Sequence, residues 1–149
     1  MLTAQVEPIN FDEIKPLLPE HWKELALNQD KVPLDPQWHV YEIRQNAGEV
    51  LYTTLRKDGV LVGYFIGFVV PGLHYKTCLT LTMDIYWTHP DIRGGTAALR
   101  LFKTVEKEAR RRGVQRIFYG SKNHKDSSRL FAAMGFEPVE TFHSKWIGG

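Results

Sequence analysis

The stretch Met83-Asp-Ile-Tyr-Trp-Thr-His-Pro-Asp-Ile-Arg-Gly-Gly-Thr-Ala-Ala98 decides the fold. It reads as the tail of a strand, a turn bearing proline and glycine, and the head of a helix. Upstream, residues 77–88 alternate in polarity. Leu79, Leu81, Met83, Ile85 and Trp87 share one face, and Thr80, Thr82, Asp84 and Tyr86 share the other. Downstream, Ala98, Leu101, Phe102, Val105 and Ala109 recur at spacings of three and four, which predicts an amphipathic helix over 96–112. Arg110, Arg111 and Arg112 crowd its C-terminal end, where cations suit the helix dipole, and Gly113 caps it. The first turn of such a helix carries unpaired N–H groups and the positive end of the dipole. Glycines let a phosphate approach that backbone closely, and Arg93 adds a cation. These are the parts of a pyrophosphate cradle. An ordinary strand-to-helix turn with a surface arginine accounts for the same residues. The nucleotide P-loop is excluded because no Lys-Ser/Thr follows the glycines, and the dinucleotide fingerprint because its three spaced glycines are missing.

Outward from this segment, residues 50–56 read as a strand. Lys57-Asp58-Gly59 reads as a hairpin turn, since Asp-Gly supplies the positive φ angles such turns need. Residues 60–70 are apolar on both faces, as a central strand is, and 71–76 read as a loop. A strand over 114–120 follows the long helix. A short helix over 126–134 has the stripe Ser127, Leu130, Phe131 and Met134, and Gly135 ends it. Residues 136–147 read as a last strand region. The N-terminal third is punctuated by Pro8, Pro16, Pro19, Pro33 and Pro36, with short helices over 11–18, 19–28 and 35–45. Asn10 is a candidate N-cap of the first, with Glu13 three residues on. This order describes a mixed α/β (α+β) domain.

The chain has 149 residues, within the usual span of one domain. Its 43% apolar and 24% charged residues exclude a disordered tail, a fibrous repeat and a disulfide miniprotein. No stretch reaches the roughly 18 apolar residues of a membrane span. The N-terminus lacks the basic and apolar regions of a secretion signal. The single cysteine, Cys78, favours a reducing, cytoplasmic setting and reads as a buried structural thiol rather than a nucleophile. A net charge of +2 does not imply nucleic-acid binding. The six histidines show no metal spacing, and no metal is expected.

The segment Arg93-x-x-Thr96-x-Ala98 resembles the acyl-CoA-binding motif Gln/Arg-x-x-Gly-x-Gly/Ala of the GNAT superfamily of acyltransferases, with Thr96 where that family usually has glycine. The strand Met83-Asp-Ile-Tyr-Trp-Thr-His-Pro90 is similar to the family's Ile-Glu-Asp-Leu-Tyr-Val-x-Pro. His124-x-x-Ser127-x-x-Leu130-Phe131-x-x-Met134-Gly135-Phe136 is similar to its Asn-x-x-Ala-x-x-Leu-Tyr-x-x-x-Gly-Phe. Leu73-His-Tyr-Lys76, with the Arg-Gly-Gly-Thr turn, resembles a subgroup common among bacteriophages. The resemblance implies one GNAT-like domain over 1–149, with acceptor-side helices in 1–48 and the sheet and CoA-binding core in 49–149. It implies a mixed sheet of about six to seven strands, with strands 79–88 and 114–120 splayed apart. It further implies N-acetyl transfer from acetyl-CoA to an amine on a small molecule or protein, or on an aminoacyl-tRNA. A homodimer is compatible with it.

On that resemblance, the backbone of Gly94, Gly95, Thr96, Ala97 and Ala98 holds the pyrophosphate, and an amide near Trp87 or Thr88 polarises the acetyl carbonyl. Asn123, His124, Ser127 and Phe131 line the CoA side. Asp84 is either a general base, with burial raising its pKa toward the working range, or a structural carboxylate. His74 lies in the loop before that strand, as a base or acceptor contact or as solvated surface. Tyr86 either lines the acceptor pocket or packs. Phe131 stands where the family has a tyrosine acid and cannot donate a proton; Tyr119 is the substitute. The rival reading is a non-catalytic domain that binds CoA or a host protein.

Overall fold

The computed structural model describes residues 1–149, which form two compact units: Met1–Pro16 with Pro36–Gly120, and Leu17–Asp35 with Ser121–Gly149. In chain order the elements are β1 (Leu2–Val6), α1 (Phe11–Ile14), a 3-10 turn (Lys15–Leu17), α2 (Leu18–Leu25), α3 (Trp38–Asn46), β2 (Val50–Lys57), β3 (Val60–Gly72), β4 (Tyr75–Thr88), a 3-10 turn (Pro90–Ile92), α4 (Ala97–Arg111), β5 (Arg116–Phe118) and α5 (Ser128–Ala133). No helix is long and apolar enough to cross a membrane.

The first unit holds a mixed sheet of order β1-β2-β3-β4-β5. The first three pairs are antiparallel and β4-β5 is parallel. The sheet has five strands rather than six or seven, for two reasons. Residues 136–147 form no strand: Val139, Phe142 and Ile147 are exposed, so their alternation buries nothing. Conversely, β1 is present where the sequence reading had only an irregular N-terminus; its weak alternation becomes a strand by long-range pairing of Leu2 through Val6 with Lys57 through Thr53. The loop expected over 71–76 is a tight hairpin, with Gly72 paired to Tyr75. The Asp58-Gly59 turn forms as expected, both residues having positive φ.

Helix α4 buries Ala97, Leu101, Phe102, Val105 and Ala109 on the sheet. Phe102 meets Phe65 of β3 edge to face, with ring centroids 6.0 Å apart. Tyr41 of α3 packs on Phe68 of β3. Residues 65 and 68 of a strand point to opposite faces, so α4 and α3 cover opposite sides of the sheet. Gly67 sits opposite Met83, where a β-carbon would come within 2.7 Å of both Leu81 Cδ1 and Phe65 Cε1. Only glycine fits there.

One irregularity sets the site. Ile66 pairs with Ile85 and Gly67 with Met83, so Asp84 is an extra residue, a β-bulge. The bulge reverses the alternation expected along β4. Leu79, Leu81 and Met83 lie opposite Pro71, Val69 and Gly67, on the α4 side. Past the bulge, Tyr86 lies opposite Phe65 on that same side, its ring 4.9 Å from Phe102. Ile85 and Trp87 move to the α3 side, opposite Ile66 and Tyr64. Tyr86 therefore does not share a face with Asp84.

An ion cluster ties β1 and α1 to the sheet. Arg56 on β2 bonds Glu7 (2.9 Å) and Glu13 (2.8 Å), with only 14% of its side chain exposed. Asn10 caps α1 as expected, but the Glu13 carboxylate turns to Arg56 instead of closing a capping box. The hydrogen bond from Arg56 is the largest cause that lowers Glu7 from 4.5 to about 2, and Arg56 lowers Glu13 in the same way. A depressed carboxylate stabilises the fold above its unfolded pKa and loses that contribution as pH falls through the folded one. We predict that melting temperature declines between about pH 4.5 and pH 2. Arg56→Met should flatten that decline and, by leaving two carboxylates without their cation, cost about 2 kcal/mol at pH 7. Calorimetric melts across this pH range test both.

Candidate functional site

The parallel pairing of β4 with β5 stops after three residues, Thr80–Arg116, Leu81–Ile117 and Thr82–Phe118. Strand β4 continues to Thr88, so the β4–β5 ladder does not reach Met83 through Thr88. The expected splay is present, with β5 shorter than the stretch 114–120 read from sequence. The His89 amide bonds the Val62 carbonyl on the β3 side (2.7 Å). By the two-residue repeat of an antiparallel ladder, the amide of Trp87 also points to β3. The amides of Tyr86 and Thr88 point to the open edge. Of the two expected carbonyl-polarising donors, Thr88 is therefore the one with an available amide direction.

The turn that follows is held by its own polar groups. His89 Nδ1 accepts from the Asp91 amide, which makes His89 a turn residue, as its place before Pro90 suggested. Arg93 donates from Nε (2.9 Å) and Nη2 (2.6 Å) to the Thr88 carbonyl. The Arg93 guanidinium, the cation of the expected cradle, thus clamps the end of β4 to the turn. Gly94 has φ +86, a conformation that favours glycine, and a β-carbon at Gly94 or Gly95 would meet nothing. No backbone carbonyl accepts from the amides of Gly94, Gly95, Thr96, Ala97 or Ala98, and the Thr96 side chain forms no cap. These amides stand open at the head of a 15-residue helix, the arrangement an anion occupies. Thr96 has φ −97, so the motif position usually held by glycine needs no glycine here.

Asp84, at the bulge, is exposed, which removes the burial expected to tune it. Its Oδ2 accepts the hydroxyl of Tyr41 on α3. The Tyr41 phenol is pushed up, first by burial and then by the Asp84 hydrogen bond and charge, so it stays protonated and a donor. Tyr41 and Asp84 lie 43 residues apart in the sequence, a contact no local pattern encodes. His74 is not part of this group. Tyr75 lies opposite Gly72 and Met83 opposite Gly67, five residues and roughly 17 Å apart along β3, and His74 sits at the β3–β4 turn beside the Tyr75 ring. Tyr119 packs on Phe102 (4.9 Å) and Phe65 (5.7 Å), and burial raises its phenol. That weakens it as an acid for a thiolate, whose own pKa is near 8.5. Cys78 is half-buried, with Sγ 3.9 Å from Thr80 Oγ1. No cluster of His, Cys, Asp and Glu is placed to hold a metal ion.

The other candidates lie in the second unit. His124 Nε2 contacts the Glu24 carbonyl (3.2 Å), and Lys125 pairs with the Glu24 carboxylate (2.6 Å). Asn123 is exposed on the same turn. The Ser127 amide donates to Ser121 Oγ, and Asp126 rather than Ser127 caps α5 by accepting the Ser128 amide. Phe131 is buried, its ring 6.0 Å from Phe136.

Replacing Tyr41 by Phe keeps the ring on Phe68 but removes the hydroxyl donated to Asp84. We predict a cost of about 1 kcal/mol in denaturant unfolding, and no cost when Asp84 is already alanine. A double-mutant cycle measures this coupling; additive single effects would show that the bond does not form.

The chain matches the acetyltransferase (GNAT) family over residues 12–136. No curated protein matches it. Several solved structures share the fold. A ribosomal-protein-alanine N-acetyltransferase from Brucella melitensis biovar Abortus 2308 has a TM-score of 0.76 at 18% identity, covering 100% of this chain and 99% of that one. An aminoglycoside acetyltransferase from an uncultured soil metagenomic sample has 0.76 at 11%, covering 100% and 99%. Glucosamine-6-phosphate N-acetyltransferase from Arabidopsis thaliana has 0.72 at 9%, covering 98% and 99%. The sequence match runs through the open β4 edge, the Arg93 turn and α4, and by it this chain belongs to the acetyltransferase (GNAT) family.

Proposed function

We propose that the chain transfers an acetyl group from acetyl-CoA to a primary amine by direct attack in a ternary complex. The observation that carries this reading is the run of open amides from Gly94 to Ala98, set just past the part of β4 that the β5 ladder does not reach. The amides and the helix dipole suit the diphosphate of CoA. The open edge suits an extended pantetheine arm, which can hydrogen-bond to the backbone of β4 as a strand would. Asp84 takes the proton from the acceptor ammonium, and Tyr41 fixes the carboxylate that receives it. The freed nitrogen attacks the thioester carbon, and the amides of Thr88 and Tyr86 are the donors directed toward the developing oxyanion. The carbon–sulfur bond then breaks, and the nitrogen gives up its second proton to solvent as the neutral amide forms. With Phe131 unable to donate, the CoA thiolate departs without a dedicated acid, which its pKa near 8.5 permits.

Arg93 acts on this cradle through its shape. Alanine and lysine at position 93 should each weaken CoA binding about tenfold in calorimetric titration, because a lysine cannot reproduce the two-pronged hold on Thr88. Full affinity in Arg93→Lys would instead assign Arg93 as a simple phosphate cation.

A hundredfold excess of CoA over its Kd should raise the melting temperature by roughly 5–10 °C. Asp84→Asn should retain that shift and lower thiol release by about a hundredfold. No thermal shift at millimolar CoA would overturn the assignment. A shift with no thiol release across amines would favour a domain that binds CoA without turnover.

A further inference from the structure

The α3 face of the first unit carries an acid and a base held apart on an aromatic floor. Asp84 accepts the Tyr41 hydroxyl. The Tyr41 ring lies 5.8 Å from Phe68, and the Arg44 guanidinium lies 4.6 Å from the Phe68 ring centroid. Tyr41 and Arg44 are three residues apart on α3 and so share a helix face. Arg44 enters none of the ion pairs of the chain. Its charge nonetheless reaches the phenol that bonds Asp84. Glu42, the other charged residue on α3, is two positions away, a spacing that does not bring side chains together. A second cation continues the row, with Lys15 Nζ 5.4 Å from the Trp38 ring, which itself lies 6.0 Å from Tyr41.

A guanidinium resting on a ring keeps its N–H fork free for a planar anion. An ammonium approaching Asp84 therefore meets a fixed positive charge beside its target. An acceptor with further positive charges is repelled there, whereas one that carries its own anion has a partner waiting. Resting on the acetyl-transfer reading above, we propose that the acceptor is a primary amine bearing an anionic group, carboxylate or phosphate. Its ammonium is held at Asp84, its anion at Arg44, and its body on Tyr41 and Phe68.

Thiol release from acetyl-CoA, measured over matched acceptors, tests this. β-Alanine is compared with β-alaninamide, phosphoethanolamine with ethanolamine, and spermidine serves as the polycation. For at least one pair the charged member should exceed its neutral partner in kcat/KM by roughly tenfold, chiefly through KM. The stronger pair identifies carboxylate or phosphate. Arg44→Gln should bring that ratio close to one, and Arg44→Glu should invert it and favour spermidine. Because Arg44 is exposed, melting curves of both variants should match the parent. A ratio unchanged in Arg44→Gln, or a parent preference for spermidine, overturns the proposal and leaves acetyl transfer standing. Absence of thiol release with every amine overturns both.

Discussion

The structure depends on a strand pairing that stops. Between Thr80 and Thr82, β4 and β5 exchange ladder hydrogen bonds; beyond them β4 continues and β5 does not. Unpaired backbone groups at a sheet edge demand a partner. The adjoining helix compounds that demand, since its first amides are uncapped as well. Edge and helix head together make a continuous line of donors and acceptors, into which a ligand with an extended arm and a charged end can be read. The clamp from Arg93 to the Thr88 carbonyl joins the two parts, so the geometry of the turn is inherited from the end of the strand.

The rest of the first unit serves to hold that strand in place. Its other edge is paired to β3 on both sides of the bulge, and α4 packs Phe102 against both Phe65 and Tyr86. Gly67 lets the chains close around the bulge where any side chain would collide with Leu81 and Phe65. Rigidity on one edge and openness on the other are two results of the same placement. A strand anchored on one side can present the amides of its other side at fixed positions, which is what electrostatic stabilisation of a transition state requires.

Much of this was legible locally. The period of Leu101, Phe102, Val105 and Ala109 specified α4, and Asp58-Gly59 specified the first hairpin, because both signals live within one element. The cradle was legible because helix heads and glycine turns are local chemistry. What escaped was set by pairing. The bulge at Asp84 leaves no mark in a sequence that alternates without fault, yet it moves Tyr86 to the other face. Strand β1 exists because β2 is there to pair with it, and the 136–147 segment, with a better apolar pattern, forms none because nothing pairs with it. His74 looked close to Asp84 because sequence distance was read as loop; as extended strand the same ten residues carry it far away.

The bulge also changes how the candidate base must work. A carboxylate inside a regular ladder would be flanked by neighbours and shielded; at a bulge the backbone bends and the side chain turns outward. Asp84 is exposed in consequence. Around it stand the hydroxyl of Tyr41 and, behind that, the Phe68 ring with Arg44 upon it. The Tyr41 hydroxyl orients the carboxylate. Such a carboxylate attracts and orders an ammonium before it accepts a proton from it. On the proposed reading, recognition of the acceptor and its deprotonation fall on one residue, and the groups surrounding Asp84 determine which amines reach it.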